Sequence, residues 1–253
     1  MRQKHKKNIT KKRRIIVVMP AYNAAGTIEK TYKDIPKDLV DEVLVVDDAS
    51  SDKTVKMAQK LGLEVFVHPS NLGYGGNQKT CYWEALKRNP DIVIMIHPDY
   101  QYDPTLIPDL VKPILDDRFD IMLGSRIRTR QEALAGGMPW WKYISNRFLT
   151  ALENICLGLN LSEYHTGMRA FTKKVLKSVP FGRFSNDFVF DQQILLSSVA
   201  NNFQIGEIAV PVRYFPEASS ANFYASVRYG LAILWNLVLY IFNKEGKLFK
   251  KEK

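Results

Sequence analysis

Hydrophobic and polar residues follow two alternating patterns along the first half of the chain. Short apolar runs that predict strands cover residues 15–19, 42–46, 64–68, 91–96 and 121–124. Between them, apolar residues recur at helical spacing in residues 23–33, 51–61, 76–88 and 106–116. This β-α-β-α order predicts an α/β fold with a mostly parallel central sheet flanked by helices.

The pattern changes after about residue 125, where a polar segment carries Arg126, Arg128 and Arg130. Apolar-periodic helices are predicted over residues 141–157, 191–200 and 222–242, and an alternating strand over residues 207–214. No run reaches the ~20 apolar residues that span a bilayer. The nearest run, residues 229–242, is interrupted by Asn236.

The basic residues are concentrated at the two ends of the chain. The net charge is +10, yet residues 1–14 alone carry eight Lys and Arg and no acid, and residues 244–253 carry five Lys and two Glu. The body between them is close to neutral, so nucleic acid is an unlikely partner. Basic ends of this kind attract anionic lipid headgroups, and a merely solvated tail is the alternative.

Cysteine usage and the N-terminal sequence favour a cytoplasmic protein. Cys81 and Cys156 lie far apart and lack metal-type spacing, which is typical of a reduced compartment. The first apolar run is too short for a signal-peptide core and ends in Pro20.

Glycine positions exclude two common nucleotide-binding classes. A dinucleotide-binding dehydrogenase needs Gly-x-Gly-x-x-Gly after its first strand, but residues 20–26 contain only Gly26. The glycines of residues 73–76 follow the third predicted strand with the wrong spacing, and the chain has no P-loop motif.

The fourth predicted strand ends abruptly in His97, Pro98 and Asp99. The carboxyl edge of a parallel sheet is where α/β folds bind ligands. A carboxylate at that edge can hold a divalent cation against a diphosphate. The alternative is an ordinary strand followed by a polar turn.

Seven short motifs, in order, resemble those of family 2 glycosyltransferases and, within that family, the dolichyl-phosphate mannosyltransferase-like branch. They are residues 19–23 (MPAYN), 45–52 (VVDDASSD), 71–76 (NLGYGG), 97–99 (HPD), 124–126 (GSR), 166–169 (TGMR) and 206–212 (GEIAVPV). The resemblance implies the nucleotide-diphospho-sugar transferase (GT-A, Rossmann-like) fold. The resemblance covers about residues 15–215, the predicted catalytic domain. Charge and apolar pattern predict a basic disordered tail at residues 1–14 and an apolar helix with a basic tail at 216–253.

The resemblance implies a set of donor-binding residues near the first strands. The nucleotide-sugar ligands expected from it are Pro20, Tyr22, Asn23, Asp47, Asp48, Gly73, Gly75 and Gln101. Ionised carboxylates are acceptors for base and ribose groups. Alternatively, Asp48 caps the following helix and the glycines form a structural turn.

The metal motif departs from the family pattern, because the usual Asp-x-Asp is here His97-Pro98-Asp99. Asp99 is the predicted ligand for Mn²⁺ or Mg²⁺, and a His97 ligand suits Mn²⁺ better than Mg²⁺. His97 as a structural residue is the alternative. Arg126 and Arg169 are expected to bind the diphosphate, since a guanidinium binds phosphate bidentately.

The acceptor decides whether a catalytic base is needed. A lipid phosphate is already an anionic nucleophile, whereas a sugar hydroxyl requires deprotonation by a carboxylate. Asp187 and Asp191 are the candidate bases, with helix capping as their alternative role. Gln193 aligns with a position where the lipid-phosphate branch usually has Glu, which leaves the acceptor class open.

The preferred prediction is an inverting transferase that moves a sugar from a nucleotide-diphospho-sugar to a polyprenyl phosphate, peripherally attached to the inner face of the membrane. Interfacial segments at residues 138–149 and 222–242 support attachment to an anionic surface. Transfer to a glycan hydroxyl and a non-catalytic adaptor of the same fold are the rivals. A homo-oligomer is compatible with either apolar helix.

Overall fold

A seven-stranded mixed sheet forms the centre of the molecule. The computed structural model describes residues 12–126, 131, 138–211, 223–243 and 248–250. The strands are β1 (Ile15–Ala21), β2 (Glu42–Asp47), β3 (Glu64–Val67), β4 (Ile92–Ile96), β5 (Ile121–Ser125), β6 (Met168–Thr172) and β7 (Ile205–Ala209). Their order is β3-β2-β1-β4-β6-β5-β7, and only β6 runs antiparallel to its neighbours, β4 and β5. The predicted mostly parallel sheet is confirmed.

Eight α-helices of the described residues flank this sheet. They are α1 (Ile28–Asp34), α2 (Thr54–Lys60), α3 (Tyr74–Lys87), α4 (Ile107–Leu115), α5 (Trp140–Leu157), α6 (Lys173–Ser178), α7 (Phe190–Ala200) and α8 (Phe223–Asn243). Alternate residues of β1 enter two different core clusters, so both faces of the sheet are covered. Burial on both faces explains why its strands read as continuous apolar runs.

Helix starts are the main local difference from the predicted elements. α1 begins five residues later than predicted, because Asn23 has a left-handed backbone (φ 51°) and its amide oxygen accepts a hydrogen bond from Ser51 N at 2.9 Å. The same contact keeps Ser51 out of α2, which begins at Thr54 without a side-chain cap.

The strand β6 and the helix α6 were not predicted. β6 carries Arg169 as its second residue, and a fully buried charge interrupts the apolar pattern by which the other strands are found. The predicted strand over residues 207–214 begins earlier, at Ile205, and its last three residues lie outside the described part of the chain.

Residues beside both predicted domain boundaries contact the body of the fold. Lys12, Arg13 and Arg14, predicted as tail, form ion pairs with body residues, for example Lys12 with Asp41 at 2.9 Å. Residues 1–11 lie outside the described structure. At the other end, α8 packs on α5 and α7 and lines the same cavity as the sheet edge.

Candidate active site

A cavity of about 670 Å³ opens at the carboxyl ends of β1 and β4 and continues between α5 and α8. It brings together eight of the predicted site residues: Pro20, Tyr22, Asp48, His97, Asp99, Gln101, Arg126 and Asp191. The other predicted residues do not line it: Asn23, Asp47, Gly73, Gly75, Arg169 and Asp187. Arg128 and Arg130 lie outside the described residues.

Asp47 is used to shape a loop. Its carboxylate is fully buried and accepts hydrogen bonds from Ser50 N at 2.9 Å and Ser50 Oγ at 2.5 Å. Ser50 Oγ in turn accepts from Asn23 N at 2.8 Å. Asp47 and Asn23 thus join the loops after β1 and β2 and do not line the cavity, and their contact with the nucleotide stays a prediction.

Asp48 reaches the cavity wall while organising the next loop. Its carboxylate accepts from Leu72 N at 2.8 Å and Gly73 N at 3.0 Å, and lies 2.7 Å from His68 Nδ1. Neither Asp48 nor Asp47 caps α2. A buried carboxylate with three partners is fixed in position, so Asp48 presents an oriented edge to a ligand.

The glycines at the start of α3 make room for protein backbone, and their approach to the nucleotide stays a prediction. A Cβ on Gly73 would lie 2.7 Å from Asn186 O, and one on Gly75 would lie 2.5 Å from Ser185 O. Gly73 also has φ 86°, which L side chains rarely adopt. The structural alternative explains both positions: the glycines let α3 pack against residues 185–186.

His97 belongs to a hydrogen-bonded chain at the cavity floor. Its Nε2 lies 3.1 Å from Tyr74 Oη, and Tyr74 Oη donates to Asp191 Oδ2 at 2.7 Å. The Tyr74 and His97 rings also stack with centroids 5.2 Å apart. Burial, together with the Asp191 charge, raises the pKa of Tyr74, so its hydroxyl stays protonated.

Arg169 pairs with Asp191 inside the fold, away from the cavity. The Arg169 guanidinium is fully buried, lies 3.3 Å from Asp191 Oδ2, and donates to the carbonyls of Thr166 and Tyr164 at 2.8 and 3.0 Å. The neighbouring carboxylate favours the charged guanidinium and raises the pKa of Arg169 despite burial. The guanidinium therefore positions Asp191 and does not line the cavity, and its contact with a diphosphate stays a prediction.

Arg126 does line the cavity, at the end of β5. Its guanidinium contacts the buried carboxylate of Glu163, with Nε 2.9 Å from Oε1, and donates from Nη2 to His165 O at 2.6 Å. Asn146 Nδ2 donates to the same carboxylate at 2.9 Å. Glu163 was not singled out in the sequence, although its position just before the TGMR motif is the signal that could have revealed it.

Asp187 lies outside the cavity, at an exposed site. It forms an ion pair with Arg228 of α8, and its Oδ1 accepts from Phe188 N at 2.8 Å. α7 begins at Phe190 without a side-chain cap, so Asp187 is not its N-cap. Neither predicted base is therefore an unengaged carboxylate: Asp187 is paired outside, and Asp191 accepts hydrogen bonds from Tyr74 and Gln78.

A divalent cation fits the remaining donors. Asp99 faces the cavity, with Oδ1 accepting from Gln101 N at 3.0 Å, and His97 precedes it on the same edge. Among the described residues no cluster of three or more His, Cys, Asp or Glu side chains surrounds a metal position. Two protein donors suit a cation that takes its other ligands from a diphosphate and water.

The half of the cavity between α5 and α8 is mainly apolar, although Ser145 and Ser226 also line it. Its walls are formed by Met138, Trp141, Phe148, Leu149, Phe188, Val227, Leu231 and Leu234. Lys142 lies at the border between the two halves, where burial and nearby Arg126 lower its pKa. No helix among the described residues is long and apolar enough to cross a membrane.

Comparison with known proteins identifies the family. The model of glycosyl transferase family 2 matches residues 16–179, more than half of the chain. The chain therefore belongs to glycosyltransferase family 2 and is a glycosyltransferase. The predicted family is confirmed.

Two relatives named for dolichyl-phosphate acceptors resemble most of the chain. One is the UDP-N-acetylglucosamine–dolichyl-phosphate N-acetylglucosaminyltransferase of Methanococcus voltae, 26% identical over 242 residues, covering 89% of this chain and 95% of the relative. Another is a dolichyl-phosphate hexose transferase of Haloferax volcanii, 26% identical over 203 residues, covering 79% of this chain and 82% of the relative.

Solved structures show the same architecture. Glucosyl-3-phosphoglycerate synthase of Mycobacterium tuberculosis, solved with Mn²⁺, uridine-diphosphate-glucose and phosphoglyceric acid, superposes with a TM-score of 0.70 at 22% identity. The match covers 91% of this chain and 80% of the synthase. The predicted GT-A fold is confirmed.

Proposed function

We propose that this chain transfers a sugar from a nucleotide-diphospho-sugar to a polyprenyl phosphate at a membrane surface, inverting the anomeric carbon in one displacement. The observation that carries the proposal is the two-part cavity. Its sheet-edge half presents Asp48, Asp99 and Arg126, which suit a nucleotide diphosphate. Its α5–α8 half is apolar and opens at the surface, which suits a long hydrocarbon chain.

The outer faces of α5 and α8 support contact with a membrane. On α8, Val227, Leu231, Trp235, Val238 and Phe242 recur at helical spacing and are 42–84% exposed. On α5, Trp140, Ile144, Phe148 and Ile155 are 57–77% exposed. Phe148, Val227 and Leu231 belong both to this apolar face and to the cavity wall. A lipid could therefore pass from the bilayer into the cavity without crossing water.

The engaged carboxylates favour a phosphate acceptor over a hydroxyl. A general base must be within reach of the acceptor proton and able to take it. Asp191 is held by Arg169, Tyr74 and Gln78, and Asp187 is paired with Arg228 outside the cavity. A phosphate oxygen needs no such base. The dolichyl-phosphate transferases among the relatives support the same acceptor class.

Asp99 and His97 would hold the divalent cation. Because Tyr74 Oη donates to Asp191, its oxygen is free to accept from His97 Nε2, which leaves Nδ1 of His97 as the nitrogen for a metal. An imidazole–carboxylate pair suits Mn²⁺ better than Mg²⁺. When bound, the cation would supply neutralisation of the diphosphate as it leaves. The Mn²⁺ and uridine-diphosphate-glucose of the Mycobacterium synthase support this donor chemistry.

The protein residues contribute orientation and charge. Asp48, fixed by backbone amides, would accept from the nucleoside, while Arg126, braced by Glu163, would face the phosphates. A braced guanidinium needs little reorganisation when negative charge develops on the leaving group.

The test is a transfer assay with defined acceptors. The full chain is incubated with a panel of nucleotide sugars, Mn²⁺ or Mg²⁺, and either farnesyl phosphate, farnesol or a simple glycoside. Of the three acceptors, we expect only farnesyl phosphate to give a glycolipid, and its formation to depend on the metal. Transfer to a glycoside hydroxyl in place of the phosphate would overturn the proposal, and so would equal transfer to farnesol.

A further inference from the structure

A buried chain of three polar side chains lies where the two halves of the cavity meet, and neither the family motifs nor the predicted site includes it. Glu153 comes from α5, His165 from the segment before β6, and Tyr229 from α8. His165 and Tyr229 line the cavity, whereas Glu153 is fully buried behind them.

The contacts of this chain are specific. Glu153 Oε2 lies 3.2 Å from His165 Nε2, and Glu153 Oε1 accepts from Gln192 Nε2 at 3.0 Å. On the other side of the ring, His165 Nδ1 lies 3.0 Å from Tyr229 Oη. Within the described part of the chain, His165 is the only hydrogen-bond partner of the Tyr229 hydroxyl.

The protonation of the buried pair Glu153 and His165 determines the direction of the hydrogen bond between His165 and Tyr229. An acid–base pair removed from water is most stable with no net charge. The two facing atoms, Glu153 Oε2 and His165 Nε2, are in ion-pair contact, and among the described residues neither makes an aligned hydrogen bond. This contact fits ionised Glu153 beside doubly protonated His165, in which Nδ1 carries a hydrogen and donates it to Tyr229 Oη.

The Tyr229 hydroxyl must then donate its own hydrogen elsewhere. Burial raises the pKa of Tyr229, so the hydroxyl keeps its proton. Arg126, whose Nη2 donates to the carbonyl of His165, places a positive charge beside the same point. A hydroxyl donor next to a guanidinium, at the border of an apolar cleft, matches the oxygens of a phosphate monoester on a hydrocarbon chain.

We propose that Tyr229 is an acceptor-binding residue that donates a hydrogen bond to the lipid phosphate, and that Glu153 and His165 are positioning residues that turn its hydroxyl toward it. The inference rests on the proposed function, since it names one contact of the same acceptor site. A hydrogen bond to a charged partner predicts about a tenfold or greater loss of acceptor affinity when it is removed.

The experiment compares binding and turnover for Tyr229→Phe. Binding of farnesyl phosphate, farnesol and uridine diphosphate is measured by calorimetry on the full chain. We expect Tyr229→Phe to weaken the binding of farnesyl phosphate at least about tenfold. The affinities for farnesol and uridine diphosphate should stay unchanged. In turnover, KM for the lipid phosphate should rise while kcat stays within a few-fold. Tyr240→Phe, at the far end of α8 against Phe249, is the matched control.

The positioning pair is tested with Glu153→Leu combined with His165→Phe, because removing one partner alone would leave a buried charge unpaired. This double variant should lose less affinity for farnesyl phosphate than Tyr229→Phe does. Tyr229→Phe added to the double variant should lower the affinity by a smaller factor than it does in the native chain, since the hydroxyl is no longer oriented.

The outcomes separate the two proposals. If wild type binds farnesyl phosphate and Tyr229→Phe binds it equally, the Tyr229 assignment is wrong while the acceptor class stands. A loss of uridine diphosphate affinity in Tyr229→Phe would move the contact to the donor and overturn the inference. If wild type prefers farnesyl phosphate but transfers no sugar to it, the proposed function fails alone. No preference of wild type for farnesyl phosphate over farnesol would overturn both.

Discussion

The two halves of the cavity are built from different interactions. The sheet-edge half is held by hydrogen bonds between loops, such as those that Asp48 accepts from Leu72 N and Gly73 N. The α5–α8 half is held by packing of apolar side chains and by one buried polar chain that joins three distant segments. A loop of hydrogen bonds fixes a small polar ligand, whereas a packed cleft accepts hydrocarbon of varied length.

The largest effect is expected at the metal edge. Asp99→Ala should lower turnover by about 10²–10³-fold or more, because the departing diphosphate loses its charge partner. Asp99→Asn keeps an acceptor for Gln101 N and should lose nearly as much activity, which separates charge from loop structure. Mn²⁺ binding is followed by electron paramagnetic resonance alongside kcat. Near-native turnover in Asp99→Asn would remove Asp99 from the metal site.

Charged substitutions on the exposed apolar face of α5 and α8 should weaken binding to membranes. Phe148→Glu together with Leu231→Glu should weaken binding to vesicles of anionic phospholipid by about tenfold or more, since two exposed apolar anchors are lost. Uridine diphosphate binding should not change. Val67→Glu, on the exposed surface of β3, is the control and should leave vesicle binding unaffected. Vesicle binding is measured by flotation. If it is unchanged but the variant has a different molecular mass in solution, the exposed apolar face of α5 and α8 joins two copies of the chain.

Adding a side chain at Gly75, in the sheet-edge half, should lower the stability of the fold. Gly75→Ala places a Cβ 2.5 Å from Ser185 O and should destabilise the fold by about 1–3 kcal/mol, as overpacking does. Gly26→Ala has nothing within 4 Å and should be close to neutral. Chemical denaturation of both variants measures the difference. Equal stability would mean that residues 185–186 do not pack on α3 as described.

His97→Asp should change selectivity more than rate. It restores two carboxylates at the edge, so activity with Mg²⁺ relative to Mn²⁺ should rise several-fold. The Mg²⁺/Mn²⁺ ratio of affinities is measured by calorimetry as well as by turnover. An unchanged ratio would leave His97 with only its contact to Tyr74.

The smallest effect is expected at Asp187. Asp187→Asn breaks an exposed ion pair with Arg228, and such pairs contribute about 0–1 kcal/mol. Turnover with the lipid phosphate should stay within about threefold. A loss of about 10²–10⁴-fold, with donor binding preserved, would identify Asp187 as a base and point to a hydroxyl acceptor.

The two halves also differ in how far they could be predicted from sequence. The strands β1, β2, β4 and β5 were placed to within two residues, because each is an apolar run stopped by a polar turn. His97, Asp99 and Asp48 were found because they follow those strands directly. The local partners of Asp47 and of the glycines could not be predicted, because a sequence does not show which group bonds to a carboxylate or which backbone approaches a glycine.

The polar chain of the other half could not be assembled from sequence, since its members are brought together by packing of α5 on α8. One signal was present. On α5, Asn146, Thr150 and Glu153 recur with Leu157 at helical spacing on the buried face. Polar residues on a buried stripe need buried partners, so this stripe indicated a polar site inside the fold without naming His165 or Tyr229.

The reversed direction of β6 has a consequence for how this enzyme can change. Because β6 pairs antiparallel with β5, the chain leaves the sheet at Ser125 and returns at Met168 on the same edge. Residues 126–167, including α5, therefore form one excursion that begins and ends beside the donor site. Such an excursion can lengthen, shorten or be exchanged while every strand keeps its register. If α5 binds the acceptor as proposed, the acceptor could therefore change during evolution while the strands that precede Asp48, His97 and Asp99 stay the same.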